Sequence, residues 1–156
     1  MKDDLFALQD YNLWANRLLL ESLAPLSHED YIREMGGGWP SLRATLVHLA
    51  GATRAWAERF DGRDATVLPT VDDVPALADG ARMLNEADAR ISAFLRAVTP
   101  ERLAAQLVWK NLKGEEKAAP LWAVLRHTVN HASYHRGQIA AMLKRLGGKP
   151  LATDLV

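Results

Sequence analysis

Three histidines, His127, His131 and His135, recur at four-residue spacing between Pro120 and Gly147. Near pH 7 an imidazole is a neutral nitrogen ligand, a proton carrier and the commonest protein donor to transition metals. Residues four apart on a helix stack one above the other, so two such rings can reach one divalent ion from the same face. Around them Leu121, Leu125, Thr128, Ala132, His135, Ile139, Met142 and Leu146 alternate spacings of four and three, the core seam of a helix in an antiparallel bundle. At ~100° per residue, His135 lies roughly 20° from the centre of that seam, His131 roughly 60° and His127 roughly 100°. His131 and His135 are therefore the inward pair. On spacing alone two readings stand side by side. Either each ring is a hydrogen-bonded core residue, or both ligate one ion, which would satisfy two ring nitrogens at once in a Leu, Ile and Met environment.

The elements that must position these rings follow from punctuation and periodicity. The histidine helix starts at Pro120, which a first helical position tolerates, and stops at Gly147-Gly148 before Pro150. A first helix spans Lys2 to Ala24, with Leu5, Leu8, Leu13 or Tyr11, Leu18 or Leu19, and Leu23 at helical spacing. Its centre, Tyr11-Asn12-Leu13-Trp14-Ala15-Asn16-Arg17, is read with Trp14 in the core and the asparagines in water, or alternatively as a ligand contact. The stretch to Gly36-Gly37-Gly38 is irregular or one short helical turn, and its His28, beside Glu29 and Asp30, reads as solvated. Ser41 caps a second helix running to about Phe60, whose seam is Leu42, Leu46, Leu49, Thr53, Trp56 and Phe60. His48 falls roughly 120° from the centre of that seam, so periodicity does not nominate it.

The connection from Asp61 to Asp73, with Pro69, is long enough to cross over along a bundle. A third helix follows from about Val74 to Val98, with Asp88 near the edge of its apolar stripe, where it could support a ligand but reads better as a solvated carboxylate or the ion-pair partner of a neighbouring arginine. Gln106 to Lys110 and Glu115 to Ala118, around an Asn111–Gly114 turn, form a small hairpin or extended loop that can roof the histidine helix. The expectation is an all-α four-helix bundle with long crossover connections and a short hairpin before the last helix, one domain over residues 1–156.

Composition excludes several functions. Lys plus Arg and Asp plus Glu are both 19, with no basic block, so no nucleic-acid partner is expected. No apolar run approaches the ~20 residues that span a bilayer, and the N-terminus does not read as a signal peptide, which implies a cytoplasmic protein without membrane partners. There is no cysteine. Disulfides, a cysteine nucleophile and thiolate ligands are thereby excluded, and any thiol chemistry must use sulfur from a small molecule.

Laid out in this way, the chain resembles the DinB family over nearly its whole length. The resemblance is carried by Tyr11-Asn12-x-Trp14-Ala15-Asn16-Arg17-x-Leu19-Leu20, by Ser41-Leu42-Arg43-Ala44-Thr45-Leu46-Val47-His48-Leu49, and most specifically by His127-Thr128-Val129-Asn130-His131-x-x-Tyr134-His135-Arg136-Gly137-Gln138-Ile139. It implies a four-helix bundle, commonly a homodimer, with one divalent ion, nickel or zinc, held by one histidine of the second helix and two of the last. By position these are His48, His131 and His135, and His127 becomes an edge or supporting residue.

A three-histidine site leaves a coordination position for water or substrate. The family's bacillithiol transferases and mycothiol-dependent isomerases imply a low-molecular-weight thiol as cosubstrate acting on a small electrophile. A second substrate could then rest against Trp14 or under the loop containing Trp109. Hydrolysis is the alternative, although Ala132 stands where an H-E-x-x-H site carries its glutamate base. A metal-binding, stress-related bundle without turnover is the non-enzymatic alternative.

Overall fold

The computed structural model describes residues 1–155. Four long helices dominate: α1 (Lys2–Leu23), α3 (Leu42–Phe60), α4 (Leu77–Ala97) and α6 (Leu121–Arg145). Two short helices, α2 (His28–Ile32) and α5 (Pro100–Ala104), and a hairpin of β1 (Gln106–Lys110) with β2 (Glu116–Pro120) lie in the connections. None of the helices among the described residues is long and apolar enough to cross a membrane.

Local chemistry sets the boundaries. Ser41 Oγ accepts from the Ala44 amide at 3.1 Å, satisfying a free donor at the start of α3. Thr99 caps α5 in the same way, a helix the sequence reading passed over. Gly147, at φ 79°, ends α6 in the left-handed conformation that glycine adopts without strain. Pro120 is not the first residue of that helix: it closes the hairpin opposite Gln106, and the Leu121 amide turns back to the Ala105 carbonyl at 3.0 Å. The third long helix likewise begins at Leu77 rather than Val74, although Val74 is buried.

Two apolar clusters fix the direction of each helix. One joins Leu5 of α1, Trp56 and Phe60 of α3, Ile91 and Leu95 of α4, and Leu121 and Leu125 of α6. The other joins Leu19 and Leu23, Leu42 and Leu46, Leu84, and Ile139. Thus α3 and α4 run parallel, α1 and α6 run parallel, and the two pairs oppose each other. A parallel α3–α4 pair needs a connection that travels the length of the bundle, and residues 61–76 supply it, as their length suggested. Gly51 makes room for that crossover, since a Cβ there would stand 2.5 Å from Pro69 Cδ.

The centre of α1 departs from the sequence reading. Trp14 is 38% exposed, whereas Asn12 and Asn16 are buried at 3% and 1%. Asn12 Nδ2 and Asn16 Nδ2 donate to the two carboxylate oxygens of Asp88 at 3.3 and 2.8 Å. On the other side, Arg136 Nη1 donates to Asn12 Oδ1 and Asn16 Oδ1, both at 2.7 Å. An amide is a donor at one end and an acceptor at the other, so two neutral side chains of α1 join an acid of α4 to a cation of α6. Asp88 is consequently neither solvated nor directly paired. Burial pushes its carboxyl up to about 6, opposed by the Asn16 hydrogen bond and the Arg136 charge.

Breaking one end of this clamp should be costly, because it strands a buried charge. Arg136→Met is expected to lower the unfolding free energy by about 3–5 kcal/mol at pH 7. Adding Asp88→Asn should return part of that loss, and urea titrations of the two single variants and the double variant measure it.

Candidate metal centre

His48 enters from α3 and His131 and His135 from α6, which packs against α3. Their Nε2 atoms converge: His131 Nε2 lies 3.3 Å from His48 Nε2 and 3.1 Å from His135 Nε2. All three donor atoms fall within 4.8 Å of one another. A tetrahedral ion with bonds of about 2.0–2.1 Å holds neighbouring nitrogens about 3.3–3.4 Å apart. Two of the three separations lie close to that span and the third is within 4.8 Å, so the three rings suit that ligand set.

Proton bookkeeping among these rings favours a cation as well. His135 Nδ1 lies 2.8 Å from Gln138 Oε1, and because an amide oxygen only accepts, the ring proton sits on Nδ1. The lone pair on His135 Nε2 therefore points at His131 Nε2, which also faces His48. One N–H on His131 cannot satisfy both contacts, while a shared cation takes up all three lone pairs. The Gln138 bond is also the kind of outer contact that fixes a ligating ring's tautomer and orientation.

Electrostatics keep the rings neutral. Burial, reinforced by the neighbouring imidazoles, lowers His48 and His131 from 6.5 to about 4. Burial also lowers His135, against the raising influence of Gln138. An aromatic wall contributes: Trp39 stacks on His48 with ring centroids 4.0 Å apart and planes at 28°, and presents its edge to His135 at 5.9 Å. Trp39 arrives through Gly36 and Gly37, both at positive φ, just before the Ser41 cap.

The structure brings together the three histidines expected to meet and leaves His127 outside. The His127 ring is exposed, 5.9 Å from that of His131 and edge-on to Trp56 at 5.5 Å, so it is an edge residue. His28 is exposed at the start of α2. Sequence reasoning missed Gln138 and Trp39. Gln138 had a usable signal, since a residue three after His135 shares its helix face; Trp39 reaches His48 from a loop, where no periodicity applies.

Replacing His48, His131 or His135 by alanine should remove most bound metal from the purified protein, and His127→Ala should retain it, as elemental analysis after chelator-free dialysis would show. Equal loss in the His127 variant would point to a different ligand set. Because protons compete for the nitrogens only as the pH approaches their lowered values, cobalt affinity should stay nearly level from pH 8 to about 5.5 and fall below that. Ordinary imidazoles would already lose affinity through pH ~6.5, and a spectroscopic titration separates the two.

Comparison with known proteins agrees with this architecture. Protein DinB of Bacillus subtilis (strain 168) is 32% identical over 165 aligned positions, covering 99% of this chain and 92% of that protein. The solved structure of YfiT from Bacillus subtilis, described as a probable metal-dependent hydrolase with an unusual four-helix bundle topology, superposes with a TM-score of 0.75. That match is 15% identical in sequence and covers 94% of this chain and 90% of the other. The model of the DinB family matches residues 1–156, and the chain belongs to that family.

Proposed function

We propose that this protein is a divalent-metal-dependent enzyme that activates a low-molecular-weight thiol and directs it onto a small electrophile. The convergence of three neutral Nε2 donors carries the reading, because three protein ligands leave room for a small molecule. Imidazole-only ligation suits nickel or zinc. Bound there, such an ion supplies positive charge that favours the anion of a thiol or of water at neutral pH.

The chain's own residues provide orientation and shielding. Gln138 holds His135 with Nε2 turned inward, and Trp39 covers one side of His48. The protein has no cysteine, so the sulfur must come from a cosubstrate. Among the described residues no carboxylate joins the histidine cluster as a ligand, and Ala132 follows His131 where an H-E-x-x-H site carries its glutamate base. In the transfer, the thiol gives up its proton, sulfur bonds to carbon, and the leaving group departs with the bonding electrons; nothing is oxidised. His127, with its ring centroid 5.9 Å from that of His131, is the imidazole next to the cluster and would take that proton on a ring nitrogen.

Hydrolysis is the second reading, favoured by the description of the YfiT structure and by the same histidine acting as base for water. Nickel- or zinc-loaded protein should accelerate conjugation of a thiol panel to 1-chloro-2,4-dinitrobenzene, with deprotonation alone giving roughly one to two powers of ten. The rate should collapse in His135→Ala, and the thiol should alter the spectrum of cobalt-loaded protein. Thiol-independent ester cleavage that disappears in the same variant would favour hydrolysis, and the absence of both activities would leave a metal-binding bundle without turnover.

A further inference from the structure

Beside the histidine cluster, the hairpin and the bundle enclose a cleft of about 250 Å³ lined by Trp56, Trp109, Ala119, Ala123, Val124 and His127. The two indoles meet edge to face, with centroids 5.3 Å apart at 66°. His127 abuts Trp56 on one side and His131 on the other, so a single imidazole separates the cleft from the cluster.

The cleft is a built feature. Trp109 is carried by β1, and the hairpin is tied to α3 by Arg59, whose Nη2 donates to the carbonyls of Ala65 and of Lys110 at 3.2 Å for the latter. The Arg59 guanidinium also lies over the Trp56 ring at 4.6 Å, holding that indole in place. Space is kept open by small side chains, Ala119 on β2 and Ala123 on α6. Apart from indole N–H groups and the His127 ring, the lining offers no polar side chain and no charge. Apolar cavities of about 150 Å³ accept benzene, so this one has room for a substituted or fused ring.

We propose that the cleft binds the planar, uncharged part of the electrophilic substrate, so that the substrate class is an aromatic or conjugated small molecule whose reactive carbon lies on the His131 side. Edge and face contacts with two indoles reward a flat π-system over a saturated body of equal size. None of the side chains that line the cleft carries a fixed charge to meet an anionic group. As a statement about the electrophile, the assignment rests on the function proposed above; as a binding site, it does not.

The test uses the full chain and 2-naphthol as probe, observed through the tryptophan indole N–H signals, with Trp56 and Trp109 assigned from Trp56→Phe and Trp109→Phe. Those two signals should shift saturably while that of Trp14 stays still. Ala123→Leu, which fills the cleft, should weaken binding by about tenfold or more. Ala119→Leu provides the same test from the hairpin side should the first variant misfold. Decahydro-2-naphthol should bind several-fold more weakly than 2-naphthol. His48→Ala should bind the probe as the parent does, so loss of metal chemistry and loss of the cleft register separately. Undiminished binding in a folded filled variant, shifts confined to other indoles, or no saturable shift in the parent would overturn the assignment. If thiol transfer fails but the indole shifts and the Ala123→Leu effect hold, the cleft stands and the proposed reaction falls.

Discussion

The angular register of α6 is the constraint on which the rest of the molecule depends. Consecutive residues of that helix, His135 and Arg136, are ~100° apart and serve different neighbours. His135 turns to α3 and the histidine cluster, whereas Arg136 turns to the asparagines of α1. A rotation by one residue would bring a guanidinium into the cluster and leave Asp88 without a counter-charge. Apolar packing alone does not prevent such a slip, because Leu, Ile and Ala seams tolerate small shifts. A directional, buried hydrogen-bond network does, since the contacts of Asp88, Asn12, Asn16 and the Arg136 Nη1 group form in only one register. The Asp88–asparagine–Arg136 clamp thus lies away from the site and still fixes where its donors point.

The same division separates the charges. Asp88 and Arg136 complete each other through α1, and the imidazoles across the bundle remain neutral in an aromatic surround. Trp39 covers one side of the cluster, and Trp56 with His127 borders the other. Low polarity there strengthens the pull of any cation on the lone pairs it meets, because fewer water dipoles screen it.

How much of this was legible from the chain depended on whether a contact was local. His131 and His135 share one helix, so their spacing announced them. His48 reaches them across an interface, and a single seam could not find it because α3 packs against both α4 and α6 and is buried around most of its circumference. Only the family resemblance supplied it. The hairpin was visible through its Asn and Gly turn. Asn12 and Asn16 were misread because residue polarity carries no information about partners on distant helices: their burial makes sense only with Asp88 and Arg136 in place. Leu8 and Leu13 on the same helix are half-buried, and Trp14 is left facing solvent.

The parallel pairing of α3 with α4 and of α1 with α6 has a consequence for how the chain acquires this structure. Helix α1 packs chiefly on α4 and α6 and at most marginally on α3, the long helix that follows it in sequence. It therefore has no native long-helix partner until much of the chain exists, and no simple helical hairpin can nucleate from the N-terminus. Contacts between remote segments slow folding relative to an up-down-up-down bundle of the same size. For a chain this helical, α1 is a late arrival, exposed during synthesis with Asn12 and Asn16 still bonded to water.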